Sequence, residues 1–299
     1  MKKFAMAAVA AAALSAGVAQ AYTVGTFSNG LVVPNVIHNG DADTTAVGII
    51  NQSAGTVGVF WTFFDANSNH VTDGCFAMTA KDYEPFIWSQ QSGTGLAGTR
   101  GYLVFAVGAN TAAGSAAAAC APSNAVVPAA GSTGLISGNA FHVNAAAQDV
   151  AFVPVIDGNL TFSAPSTDLT NLGPDSLVGV AGARSLTTPA TFSMRYAVDG
   201  TLNAGLETRI VVWSTGDQKG THTVNMYDAA QNRKSVNFAL AESELSFFNP
   251  ETIPGRPANF TDGFIEWTPT FASTGAAFTY SLITAPAFGA TQSVLGSHN

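Results

Sequence analysis

The sequence predicts an all-β protein: two tandem, internally duplicated antiparallel β-sandwich domains of immunoglobulin-like type behind a signal peptide. Three observations predict it. Short runs rich in Val, Ile, Thr, Phe and Tyr alternate with clusters of Gly, Asn, Asp, Ser and Pro, and helical periodicity is nearly absent after the first twenty or so residues. One stretch occurs twice: Phe64-Asp65-Ala66-Asn67-Ser68-Asn69-His70 returns as Tyr227-Asp228-Ala229-Ala230-Gln231-Asn232-Arg233, 163 positions later. Charged residues make up 10% of the chain and hydrophobic residues 47%, a balance that supports packed cores and argues against disorder.

The first segment, 1–21, reads as a secretion signal. Lys2 and Lys3 form its basic start, Phe4 to Val18 its apolar stretch, and Ala19-Gln20-Ala21 its cleavage site. The apolar stretch is short and interrupted by Ser15 and Gly17, so it does not read as a spanning helix, which needs about 20 apolar residues. The mature chain then starts at Tyr22, with no membrane span expected. Loss of Lys2 and Lys3 takes the formal charge from −8 to about −10, which disfavours nucleic acid and anionic membrane as partners. The expected location is exported: extracellular, cell surface or periplasm. Cys75 and Cys120 are the only cysteines, and in an oxidising compartment they are expected to pair. Closing that loop of about 45 residues is worth roughly 4 kcal/mol on the chain-entropy account.

The first domain, 22–162, carries strand patterns at Leu31–Ile37, Ala46–Ile50, Val57–Phe64, Gly74–Thr79, Gly101–Val107, Asn139–Val143 and Ala151–Ile156. A Pro- and Gly-bearing segment, 163–189, marks the boundary, although Leu177–Val180 also reads as a strand. The second domain, 190–299, has patterns at Phe192–Ala197, Thr208–Trp213, His222–Tyr227, Ser235–Ala241, Gly263–Trp267 and Ala277–Ile283. The offset of 163 holds from Thr45 and Thr208 onward. After a one-residue deletion it becomes 162, matching Gly101–Phe105 to Gly263–Trp267. The copies part at 109–134, an Ala/Gly/Ser-rich insertion in the first domain that cannot build a core of its own. Cys120 lies inside it, so a Cys75–Cys120 bridge would staple the insertion to its domain.

Candidate chemistry is sparse. Asp65-x-Asn67-x-Asn69 has the alternating oxygens of a calcium loop. It lacks glycine at the sixth position and glutamate at the twelfth, and its repeat loses another ligand, so it reads as a hairpin loop. His38, His70, His142, His222 and His298 show no metal-binding spacing. Asp73, Asp82, Glu84, Glu207, Glu244 and Asp262 could meet as paired carboxylates only through folding. Asp157-Gly158-Asn159-Leu160-Thr161 fits an acidic glycosylation acceptor, but reads more simply as a turn. No nucleophile elbow, P-loop or dinucleotide fingerprint occurs. No cofactor and no metal is expected.

The repeat sorts the tryptophans. Trp61, Trp213 and Trp267 pair with Val224, Ile50 and Phe105, apolar in both copies, and read as core. Trp88 pairs with Pro250, and so stands as the candidate exposed ring for a ligand, with Tyr83, Gln90 and Gln91 as neighbours.

The pattern Trp61–Met78, with the strands Gly101–Phe105 and Gly138–Val143, resembles uncharacterised secreted β-rich, sandwich-type proteins of Gram-negative bacteria. That resemblance implies an exported β-sandwich and carries over no catalytic residue. The leading functional expectation is a secreted, non-enzymatic structural or interaction protein of the cell surface or extracellular matrix, contacting copies of itself or a cell-surface partner. The alternative is a carbohydrate-binding protein that uses Trp88 on a glycan. A third reading is a secreted hydrolase.

Overall fold

The structure is a computed structural model that describes residues 22, 25–93, 95–127, 135–164, 166–198, 205–269 and 275–299. The signal segment 1–21 and the end of the insertion, 128–134, lie outside the described residues. The described chain is all-β. In the first half the strands are β1 (Gly30–His38), β2 (Asp43–Asn51), β3 (Val57–Asp65), β4 (His70–Met78), β5 (Tyr83–Ile87), β6 (Thr99–Val107), β7 (Ile136–Asn144), β8 (Asp149–Val153) and β9 (Ile156–Asp157). Three short strands follow: β10 (Leu160–Phe162), β11 (Leu177–Val180) and β12 (Arg184–Ser185). The second half holds β13 (Phe192–Ala197), β14 (Glu207–Ser214), β15 (Gly220–Asp228), β16 (Arg233–Leu240), β17 (Leu245–Phe248), β18 (Asp262–Trp267), β19 (Ala276–Ala285), β20 (Ala290–Leu295) and β21 (Ser297–His298).

All named pairings are antiparallel. β1 and β2 share a single register pair, His38 with Thr44, so the first sheet folds over at that hairpin. Its two arms are β4-β3-β6-β1 and β5-β2-β7-β8. They enclose a core that includes Val47 and Ile49 from β2, Trp61 and Phe63 from β3, and Phe105 from β6. The second half is built from β16-β15-β18-β13 and from β17-β14-β19 with β20 beside β19. Strand for strand, this is the order of the first half. Its own core includes Met194, Ile210, Val224, Phe238 and Trp267.

A third core joins the halves. It takes Phe60, Phe64, Tyr102 and Val104 from the first half and Val211, Trp213, Phe278 and Tyr280 from the second. The Tyr102 and Trp213 rings meet edge to face, 5.8 Å between centroids. The sequence of β3 accounts for this. Val59, Trp61 and Phe63 point to one face and Phe60 and Phe64 to the other, and both faces are covered. A strand buried on both sides needs such an unbroken apolar run. Its counterpart β15 alternates instead: Val224 and Met226 face inward, while Thr223 and Asn225 lie on the outer face. Full burial of an aromatic or large aliphatic side chain is worth about 1.5–3 kcal/mol. The halves are therefore held together by the same physics that holds each one.

The segment 163–189, read from the sequence as a boundary, is built into this junction. Leu169, Leu172, Leu177 and Val180 belong to the central core, and β11 pairs with β10. In the insertion, α1 (Ala116–Ala119) is capped by the Ser115 hydroxyl, which accepts from Ala118 N. Cys120, just after it, is bonded to Cys75 on β4. Asn124 is buried; its side chain donates to Ala119 O and accepts from Asn110 N, which gives this Ala-rich stretch a fixed conformation.

Candidate functional site

Trp88 corrects the sequence reading. Its ring is fully buried, packed with Trp61 (5.9 Å), Phe63 (4.8 Å) and Phe86 (6.1 Å) at the end of the first core. A ring enclosed on all sides cannot stack on a sugar. Trp88 opens a 3-10 turn over Trp88–Gln90, and Pro250, its counterpart by offset, opens the corresponding turn over Pro250–Thr252 and is buried as well. The mismatch in residue type reflects two ways of plugging one position rather than exposure. Gln90 is exposed and Gln91 partly exposed, but without the ring they form no platform. Tyr83 is 56% exposed.

Trp61, Trp213 and Trp267 all lie in the cores. Trp61 faces Gly74 across β3 and β4. A Cβ at Gly74 would stand 2.6 Å from the indole, so only glycine leaves room for the ring.

The repeated hairpin loops spend their oxygens on themselves. The Asp65 carboxylate accepts from Asn67 N, Asn69 N and Asn69 Nδ2, each at 2.9 Å. Asp228 accepts from Ala230 N, Asn232 N and Asn232 Nδ2 at 2.8–2.9 Å. Ser68 and Gln231 hold the left-handed position of each turn, at φ 58° and 68°. These contacts, the Asn232 side chain first, hold the Asp228 carboxyl below the usual carboxylate range. The first loop also docks on the second half: Asn67 Nδ2 donates to Glu242 at 2.6 Å, and Leu245 N donates to Ala66 O.

The carboxylates considered as catalytic candidates have local partners or stand apart. Asp82 closes a turn by accepting from Thr79 N and Oγ1, both at 2.8 Å. Asp73 lies 3.2 Å from His70, and Asp262 pairs with Arg195. Glu244 is buried at the junction of the halves, and burial raises its pKa. Among the described residues, no three His, Cys, Asp or Glu side chains gather as a metal site would require. Asp157 is fully buried and accepts from Gly25 N (2.6 Å) and Thr26 N (3.3 Å). In the folded protein it cannot serve as the acidic element of a glycosylation acceptor at Asn159.

What stands out instead is the outer face of β5-β2-β7-β8. Antiparallel partners share a face, so the register aligns Ile87, Ala46, Phe141 and Phe152 in one row. Neighbouring rows hold Val143 with Val150, Pro85 with Gly48, and Tyr83 with Ile50. Phe141 is 39% exposed, Phe152 42% and Val150 59%. None of these rows carries a charged side chain. A Cβ at Gly48 would lie 2.6 Å from the Tyr83 hydroxyl, so that glycine lets the tyrosine lie flat across the sheet. The matching face in the second half, on β17-β14-β19-β20, carries Val211, Trp213, Phe278 and Tyr280 and is buried in the central core. Contiguous exposed apolar surface is uncommon on monomeric proteins. Sequence reading missed it, although Val150-Ala151-Phe152-Val153 is apolar on both faces of a strand, which signals that the outer face meets something.

Among the described residues, no helix is long and apolar enough to cross a membrane. No protein-family model, no curated protein and no solved structure matches this chain.

Proposed function

We propose that this is an exported, non-enzymatic interaction protein of the cell surface or extracellular matrix, and that the outer face of β5-β2-β7-β8 is its contact surface. The observation that carries the reading is the exposed, uncharged apolar face around Phe141, Phe152, Val150 and Tyr83. Its occupant is a second copy of the chain. Two strongly acidic molecules repel each other, and a face without charged side chains is where they can approach most closely. Such a patch suits a self-complementary two-fold contact. The Cys75–Cys120 bridge is compatible with an exported protein.

The two halves are read as copies of one immunoglobulin-like sandwich produced by internal duplication. Supporting this are the constant offset, the equivalent Asp65 and Asp228 loops, and the common strand order. The pairs β2–β5 and β3–β6 match the B–E and C–F pairs of immunoglobulin domains. The strand beside β6 is β1, and the strand beside β2 is β7, where that fold has other neighbours.

Sedimentation velocity of the mature protein over a concentration series tests the function. Reversible association is expected, and it is expected to be lost in a Phe141→Ser, Phe152→Ser variant that unfolds like the parent. A monomer at every concentration that also leaves cell envelopes untouched removes the proposal.

A further inference from the structure

A cavity of about 440 Å³ lies where the two halves meet. Its walls come from β1, β6 and the ends of β7 and β8 on one side and from β14, β17, β19 and β20 on the other; Phe141, Phe152 and Val150 of the contact face do not line it.

Two arginines converge there from opposite halves. The Arg100 guanidinium stacks on the Phe247 ring, 4.0 Å from its centroid, and that of Arg209 lies 5.7 Å from the same ring. Neither is in a salt bridge among the described residues. Two cations near one ring, with no carboxylate at ion-pair distance, repel each other and favour an incoming anion. Burial lowers the Arg100 pKa from its ordinary value; Tyr280 and Asp43 act against that shift and Arg209 adds to it.

A buried polar group faces the same space. Asn35 lines the cavity, is only 4% exposed, and its Oδ1 has no hydrogen-bond partner. Its side chain lies within hydrogen-bonding reach of the Tyr280 hydroxyl. The sequence explains why Asn35 points there. Pro34 cannot donate to a ladder, and β1 carries a register shift between Val33 and Val36 that turns the strand.

The other charged or titratable residues of the lining are His142 and Asp149. His142 is engaged by Asp43 at 2.5 Å. Asp149 in the lining and Asp43 behind His142, whose charge also acts on Arg100, offset part of the positive charge, so the walls favour a singly charged ligand over a multiply charged one. Ile37, Phe247 and Leu282 supply apolar surface for its body.

We infer that this cavity is a binding site for a small organic carboxylate with a compact apolar body, held by Arg100 and Arg209. Isothermal titration of the mature, disulfide-bonded protein with benzoate and hexanoate tests this, with benzyl alcohol as the uncharged shape control and inorganic phosphate as the charge control. One carboxylate per chain is expected to bind, with benzyl alcohol silent and phosphate weaker. Arg100→Gln and Arg209→Gln are each expected to weaken binding by about tenfold or more, the scale of one lost charged hydrogen bond. Arg209 is exposed, so its variant keeps the fold and decides the question even if Arg100→Gln does not. Heat from neither carboxylate, equal binding of benzyl alcohol, tighter binding of phosphate, or undiminished binding in Arg209→Gln each overturns the assignment.

Discussion

Asp157 makes the protein less stable at neutral pH than it is in mild acid. Removing this carboxylate from water raises its pKa from 3.8 to about 6, although Gly25 N and Thr26 N donate to it and pull the other way. The native state therefore keeps its proton longer than the unfolded chain does. As pH rises from about 4 to about 6, the unfolded state ionises first and gains stability relative to the native state. Below that window the group is neutral in both states, and above it the loss is complete. A gap of about two pH units corresponds to about 3 kcal/mol, and residual solvent screening brings the expected effect to about 1–3 kcal/mol. Asp157→Asn retains an oxygen acceptor for Gly25 N and Thr26 N but cannot ionise. Urea unfolding of both proteins, followed by tryptophan fluorescence at several pH values from 4 to 7.5, gives the difference curve. The variant is expected to gain on the parent by about 1–3 kcal/mol as pH rises through the window. A flat difference, or one that falls with pH, refutes the account of Asp157 as a buried, desolvated acid.

The other predictions concern the junction and the staple. Trp213→Ala empties a fully buried site in the central core, and a loss of about 3–5 kcal/mol is expected. Probes in both halves are expected to shift together in urea unfolding; a shift confined to the second half would mean that the junction does not couple them. Replacing Cys75 and Cys120 with alanine releases a 45-residue separation and is expected to cost up to about 4 kcal/mol in urea unfolding. Hydrogen exchange is expected to quicken first around α1; unchanged exchange there would contradict the stapling role.

Much of this fold was legible because strand and turn chemistry is local. Asp65 and Asp228 close their loops with the same three contacts, and the sequence repeat found them. The strands that escaped notice were those with weak local signals. β5 contains Pro85, β17 has four residues, and β20 is largely polar. The error over Trp88 has a different origin. Comparing copies detects equivalent positions, but Trp88 and Pro250 fill their turns with different side chains, and burial depends on packing from distant strands. The junction was hidden for the same reason. The unbroken apolar run of β3 gave notice that both of its faces are covered, but only the tertiary arrangement shows that the second half covers one of them. The cavity arginines lie more than a hundred positions apart in the chain, a separation no motif spans.

The measurement closest to the central claim is hydroxyl-radical footprinting of the mature protein at low and high concentration, read by mass spectrometry. Tyr83, Phe141 and Phe152 are reactive, exposed rings on the proposed contact face, while Phe264 and Phe288 are exposed elsewhere and serve as internal controls. The account predicts that labelling of the first three falls as concentration rises while labelling of the two controls does not change. Undiminished labelling of Tyr83, Phe141 and Phe152 in an associating sample, or equal protection of all five, would contradict it.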